Sequence, residues 1–155
     1  MKQIRKIKVV REIDERPETS WIGTYVRKWV PGAIDRARFS CRWRRGQFPY
    51  FLPATEWWNL KGAEKREAWK HALEDMELLE SLGETWDLIG IRAEAEIVVN
   101  TVLQQIGSGG LWGIESNSDD SYLGMVEAEE LDNLVMILKE LGFTESEIGK
   151  VEVVR

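Results

Sequence analysis

The chain has 155 residues, of which 43% are hydrophobic and 31% are charged, and its formal net charge is −6. This length and composition fit one folded domain with its own core, and they exclude a disordered tail, a collagen-like repeat and a disulfide-rich scaffold. The charge is uneven along the chain, because residues 1–70 carry 17 Lys/Arg and 8 Asp/Glu whereas residues 71–155 carry 4 and 19.

The first thirty residues are predicted to be mostly extended. Residues 3–13 mix β-branched side chains with lysine and arginine, which favours a strand suited to the edge of a sheet. A loop is predicted over 14–20 and a second strand over 21–30. The dipeptide Pro31-Gly32 then predicts a turn.

Residues 33–60 have no regular hydrophobic period. Within them Pro49 and Pro53 bracket the short apolar run Tyr50–Leu52. Because proline has no N–H to donate, such a run is predicted to be an edge strand or an ordered loop. The segment Glu56–Trp58 is predicted to form a single helical turn.

The next two elements have the clearest periodicities. Residues 63–82 predict a helix that ends at Gly83, and its apolar stripe consists of Trp69, Ala72, Leu73, Met76 and Leu79. Residues 86–99 alternate between apolar and polar side chains, which predicts a strand covered on one face.

The last third is predicted to contain a hairpin and a helix. Two strands, 101–106 and 111–116, are expected to pair through the glycine-rich turn Gly107–Gly110. Residues 117–142 are predicted to be acidic and then helical, with an N-cap at Asn117 or Ser118. A helix over about 127–141 has a buried stripe of Leu131, Leu134, Val135, Leu138 and Leu141. Gly142 is expected to end this helix, Thr144 and Glu147 to cap a short one, and 151–154 to form a strand.

These elements predict an α+β fold, a mainly antiparallel sheet of about four to six strands with two principal helices packed on it. A single domain over 1–155 is expected, and a division into a basic, aromatic-rich segment (1–60) and an acidic segment (61–155) is the alternative. With no apolar run near the roughly 18 residues of a membrane span and only one cysteine, Cys41, a cytoplasmic protein without a membrane partner is predicted.

Signals for catalysis are weak, so an enzyme is not the favoured expectation. The single histidine, His71, lies thirty residues from Cys41, and no serine-hydrolase elbow or zinc-ligand motif is present. We expect no cofactor. A small metal-dependent enzyme would require the carboxylates of Glu94, Glu96, Glu115 and Asp119 to converge.

Two binding surfaces are predicted from charge. The segment 27–45 places cations beside aromatic rings, a combination that binds nucleic acid, and its candidate residues are Arg36, Arg38, Arg42, Trp43, Arg44 and Arg45. The acidic half predicts a docking surface for a protein partner, with candidate residues Trp112, Glu115, Asp119, Asp120 and Tyr122. The alternative is that the two halves neutralise each other.

The segment SGGLWGIESNSDDSYL at Ser108–Leu123 resembles a family of small uncharacterised proteins carried by bacteriophages and mobile elements. Ile89–Glu96 and Tyr50–Ala54 fit the same pattern, and the resemblance covers about residues 20–145. It carries no assigned activity, and it implies an accessory protein that acts on a host or phage protein, for example as an anti-CRISPR or anti-restriction inhibitor or as a regulator. Non-enzymatic protein binding is therefore the favoured function, with nucleic-acid binding through 27–45 as the first alternative.

Overall fold

Eight strands and four helices follow one another along the chain, which confirms the predicted α+β class. The computed structural model describes all residues from Met1 to Arg155. The strands are β1 (Lys2–Ile13), β2 (Gly23–Val26), β3 (Ile34–Asp35), β4 (Tyr50–Pro53), β5 (Leu88–Val99), β6 (Val102–Gly107), β7 (Leu111–Glu115) and β8 (Val153–Val154). The helices are α1 (Arg36–Phe39), α2 (Gly62–Glu80), α3 (Asp120–Glu140) and α4 (Glu145–Gly149). None of them is both long and apolar enough to cross a membrane.

The chain forms two compact units. Unit 1 consists of residues 1–16 together with 87–155, and unit 2 consists of residues 17–86. These boundaries differ from the 60/61 division that the change of charge suggested. The difference arises because the basic strand β1 pairs with β5 from the acidic half rather than with the elements that follow it.

Unit 1 is built on a five-stranded mixed sheet centred on β5. One edge of β5 pairs with β1 along almost its whole length, and β1 in turn pairs in parallel with β8 at Ile7 and Lys8. The predicted strand 3–13 is thus confirmed, and its place at a sheet edge is confirmed along most of its length, because β8 covers its second side only at Ile7 and Lys8. The opposite edge of β5 pairs with β6 over 94–99 and with β7 over 88–91.

The predicted hairpin between β6 and β7 is wrong, because both strands pair with β5 and not with each other. The tight turn lies instead at Asn100 and Thr101, which both have positive φ, and it joins β5 to β6. Since β6 covers only half of the twelve-residue β5, Ser108 fills the gap before β7. Its N–H donates to the Ala93 carbonyl at 2.9 Å, and its hydroxyl oxygen accepts from the Ala93 N–H at 2.9 Å.

One face of this sheet is covered by α3. The odd-numbered residues of β5 from Ile89 to Ile97 are buried, and they belong to the same apolar clusters as Leu123, Val126, Leu134 and Leu138 of α3. Their alternation with half-buried polar residues confirms the period predicted for this strand.

Helix α3 begins seven residues earlier than predicted. Its N-cap is Asp119, whose carboxylate accepts from the Ser121 N–H, so the predicted cap at Asn117 or Ser118 is wrong. Leu141, assigned to the buried stripe, is 46% exposed because it lies beyond the last helical residue. The helix stop at Gly142 and the capping box of Thr144 and Glu147 are confirmed.

Unit 2 contains an antiparallel three-stranded sheet in the order β2-β4-β3, and α2 contacts it. Its β4 is the central strand, so the prediction of an edge strand or loop for Tyr50–Leu52 is wrong. The prolines are tolerated because Pro49 precedes the strand and Pro53 is its last residue, opposite Gly23. The second strand is confirmed but shorter than 21–30.

Helix α2 is confirmed within two residues at its C-terminal end, with Gly83 in the left-handed conformation just beyond it. Ala72 and Met76 are its buried residues, and the other members of the predicted stripe are half-buried. The helical turn predicted at Glu56–Trp58 is wrong, because the chain there forms a turn at Trp58 and Asn59.

Candidate functional site

The exposed indole of Trp112 is the most distinctive feature of the open face of the unit 1 sheet. Trp112 is 45% exposed, yet its ring lies directly over Gly90 of β5. A Cβ atom added to Gly90 would lie 2.5 Å from Trp112 Cδ2, which is far inside van der Waals contact. Glycine is therefore the residue that allows the ring to lie flat on the strand.

A bulge in β7 directs Trp112 to this open face. Ile89 pairs with Ile114 and Ile91 pairs with Leu111, so β7 has one residue more than β5 between these two pairs. Gly113 supplies the irregularity with a φ of +76°. Ile114 packs in the core beneath α3, and the extra residue places Trp112 on the opposite side, where strict alternation would not put it.

An open groove of about 660 Å³ borders the Trp112 ring. The remaining lining residues come from the end of β1 and the segment after it: Glu12, Ile13, Asp14, Glu15 and Arg16. Ile13 is 62% exposed and adds apolar surface to the groove. Glu12 is paired with Arg92, but Asp14 and Glu15 make no ion pair, and these two carboxylates next to an exposed indole form a surface suited to a cationic group.

A ladder of ion pairs continues from this groove along the open face. The Arg92 guanidinium donates to both Glu12 oxygens at 2.6 and 2.7 Å, and it lies 2.6 Å from Glu94. Lys8 lies 2.9 Å from the other oxygen of Glu94. Hydrogen bonds from Lys8 and Arg92 hold the pKa of Glu94 below its ordinary value. The ladder fixes Glu12 at the side of the groove that faces Arg92.

The other predicted partner-binding residues lie along the turn that leads from β7 into α3. Glu115 is the last residue of β7 and is half-buried, and Asp120 is the first residue of α3 and is exposed. Hydrogen bonds from Ser121 lower the pKa of Asp119, which caps the helix, and Tyr122 is 40% exposed. Because α3 covers the opposite face of the sheet, these residues do not surround Trp112.

Two of the residues predicted to bind nucleic acid are neutralised inside unit 2. Arg36 is only 5% exposed, and its guanidinium lies 3.6 Å from the buried Glu80 carboxylate. Arg42 makes ion pairs with Glu77 and Glu84. Arg36 is therefore not available to an external ligand, and Arg42 is available only in competition with two carboxylates.

The remaining four candidates lie closer to solvent. Arg38 stacks over the Phe39 ring at 5.2 Å, and Arg44 donates to the carbonyls of Cys41 and Trp43. Trp43 is half-buried and donates its indole N–H to a backbone carbonyl. Arg45 is exposed and makes no ion pair.

The Arg36–Glu80 pair is a buried polar cluster that no sequence motif indicated, because its members are far apart in the chain. Arg36 donates to the Phe48 carbonyl at 2.9 Å and lies 4.1 Å from the centre of the Tyr25 ring, and the Ser40 hydroxyl donates to Glu80. Arg36 Nε and Glu80 Oε1 are buried without a hydrogen-bond partner. The cluster borders a cavity of about 430 Å³.

The structure does not gather the carboxylates that a metal-dependent enzyme would need. No group of three or more His, Cys, Asp or Glu residues is placed to hold a metal ion. Glu94 is occupied by Lys8 and Arg92 on the open face, whereas Asp119 caps α3. Glu94, Glu96, Glu115 and Asp119 therefore do not form the cluster that this hypothesis requires.

His71 and Cys41 do not form a recognisable dyad. The exposed imidazole of His71 lies within 3.4 Å of Glu67 and Glu74 on its own helix. Cys41 is exposed, and no hydrogen bond joins it to His71. The histidine is thus a surface residue of α2.

The difference in net charge between the two folded units is much smaller than the difference between the two halves of the sequence. Unit 1 has 10 Lys/Arg and 17 Asp/Glu and unit 2 has 11 and 10, giving net charges of −7 and +1. In unit 1 the basic strand β1 pairs with acidic partners, as in Lys8–Glu94 and Arg11–Glu127. Unit 1 therefore retains a clear negative excess.

Comparison with protein-family models, with curated proteins and with solved structures finds no match for this chain.

Proposed function

We propose that this chain is a non-enzymatic accessory protein that binds another protein through the groove beside Trp112, which receives a lysine or arginine side chain of the partner. The observation that supports this proposal best is the exposed Trp112 ring, held flat on Gly90 by the bulge at Gly113. We define the Trp112 groove as Trp112 with Glu12, Ile13, Asp14, Glu15 and Arg16.

The physical reason lies in how an exposed indole gains by being covered. Tryptophan is enriched among the residues that dominate binding energy at protein interfaces, and a cation over its ring gains about 0.5–2 kcal/mol. The ring of Trp112 rests on a strand, so little side-chain freedom remains to be lost on binding. Asp14 and Glu15 provide negative charge beside it.

The acidic turn at Asp119–Tyr122 remains a second element of this proposal. It continues the negative charge of unit 1 beyond the sheet, and Tyr122 offers a further exposed ring. The bacteriophage resemblance adds the proposal that the partner belongs to a host defence system, which would be tested by co-expression with restriction and CRISPR nucleases.

The direct test is a calorimetric titration of the full-length protein with a short peptide of alternating arginine and serine. We expect saturable binding that falls by at least about 30-fold in Trp112→Ala, the loss typical of a dominant interface residue. Trp29→Ala is the matched control, because Trp29 is 61% exposed but belongs to unit 2.

Two further variants separate ring placement from ring presence. Gly90→Ala forces Trp112 from its seat while keeping the indole, and we expect it to weaken peptide binding as well. Gly107→Ala is its control, because the nearest atom to an added Cβ there is the Ala93 carbonyl oxygen at 3.9 Å. Equal affinity of wild type and Trp112→Ala for the peptide would refute the proposal.

A further inference from the structure

The topology of unit 2 brings two basic segments to the same end of its sheet, where β2 and β3 finish and β4 begins. Strand β2 ends at Val26 and β3 ends at Asp35, and both residues pair with Tyr50, the first residue of β4. The segment that follows β2 and the loop that precedes β4 therefore leave the sheet on the same side. A direct contact joins them, since the Arg27 guanidinium lies 4.5 Å from the centre of the Phe48 ring.

The cations at this end of the sheet differ from Arg36 and Arg42 in having no carboxylate partner. Arg27, Lys28, Arg44 and Arg45 make no salt bridge, and the last three are exposed like Arg27. The nearby carboxylate of Asp35 is used to cap α1, where it accepts from the Ala37 N–H at 3.0 Å. A positive surface thus persists although unit 2 as a whole is almost neutral.

The same end of the sheet exposes aromatic rings. Trp29 is 61% exposed and Phe48 is 39% exposed. The loop that carries Phe48 is held by its own hydrogen bonds: the Trp43 indole N–H donates to the Phe48 carbonyl at 3.1 Å, and the Arg44 N–H donates to Gln47 at 2.9 Å. The Phe48 ring is therefore presented by an ordered loop.

We infer that this surface binds single-stranded nucleic acid. We call it the basic–aromatic surface, and it consists of Arg27, Lys28, Trp29, Arg44, Arg45 and Phe48. Unpaired guanidinium and ammonium groups neutralise successive phosphates, and exposed rings stack on unpaired bases without regard to sequence. A duplex keeps its bases stacked inside and offers nothing to Trp29 and Phe48. Single strands are therefore the preferred ligand over duplexes.

The test measures the affinity of the full-length protein for labelled oligo(dT) and oligo(rU) of fifteen nucleotides by fluorescence anisotropy over a series of salt concentrations. Four phosphate contacts predict a slope of log affinity against log salt of about −3 for a single strand. Lys28→Ala with Arg45→Ala should reduce the slope to about −1.5, because half of these cations are removed. Arg66→Ala with Lys70→Ala is the matched control, since it removes two exposed cations of α2 without ion pairs and should leave the slope unchanged.

Stacking is tested separately from charge. Trp29→Ala should weaken oligo(dT) binding by about 10-fold or more, while Trp112→Ala should not change it. Three outcomes would overturn the inference: no binding at low salt, equal binding of a 15-base-pair duplex, or equal binding of an oligo-glutamate peptide, which would indicate an acidic protein partner instead.

Discussion

Removing Glu80 should expose the cost of an uncompensated buried charge in unit 2. The Glu80 and Arg36 side chains are 2% and 6% exposed, so Glu80→Ala leaves the Arg36 guanidinium inside the protein with only the Phe48 carbonyl and the Tyr25 ring as partners. Breaking a buried pair in this way costs about 3–5 kcal/mol. With a urea dependence of about 2 kcal/mol per molar, the unfolding midpoint should fall by roughly 2 M.

The assay is urea unfolding followed by circular dichroism and tryptophan fluorescence. Glu77→Ala is the matched control, since Glu77 also pairs with an arginine but is 55% exposed, and its loss should cost no more than about 1 kcal/mol. Replacing both members, Arg36→Met with Glu80→Leu, should recover much of the stability because no charge stays buried. A Glu80→Ala variant as stable as Glu77→Ala would show that the argument from burial is wrong.

Three further predictions concern other regions of the chain. Gly90→Ala should shift the fluorescence maximum of Trp112, whereas Gly107→Ala should not, and an unchanged spectrum in both would contradict the packing of the indole on Gly90. Burial raises the pKa of Tyr25 above its ordinary value of 10.0, so the stability it contributes is fully present below about pH 10 and is lost as the pH rises through the raised pKa. The free energy of unfolding should therefore fall less steeply above pH 10 in Tyr25→Phe than in wild type, and parallel curves would contradict this. Thr144→Ala removes the side chain that caps α4 and should lower the free energy of unfolding, measured with urea, by about 1 kcal/mol. An unchanged free energy would contradict a stabilising role for this cap.

The elements with strong local periodicity were predictable, and α2 and β5 show why. Their apolar side chains recur at the period of the element because one face of each contacts the protein interior. The start of α3 was missed because two buried polar residues interrupt its apolar stripe. Glu127 and Glu130 occupy buried positions in its stripe, where Glu127 pairs with Arg11 and Glu130 accepts from Ser108.

Long-range pairing accounts for the remaining errors. The glycines around Ser108 have the composition of a hairpin turn, and only the length of β5 decides that both flanking strands pair with it instead. Likewise, the type of Trp112 alone predicts a contact residue, whereas its position on Gly90 depends on a strand about twenty residues away. The partner of Arg36 depends on a helix more than forty residues away, so its burial was not foreseeable.

The insertion of unit 2 within the sequence of unit 1 has a consequence for the order of folding. The Asp14 N–H donates to the Leu88 carbonyl, so β1 waits for a strand that is synthesised more than seventy residues later. Unit 2 is continuous from Pro17 to Trp86 and is complete before β5 leaves the ribosome. During translation β1 therefore lacks its partner strand, and lysine and arginine side chains such as its own discourage association of an unpaired strand with other chains.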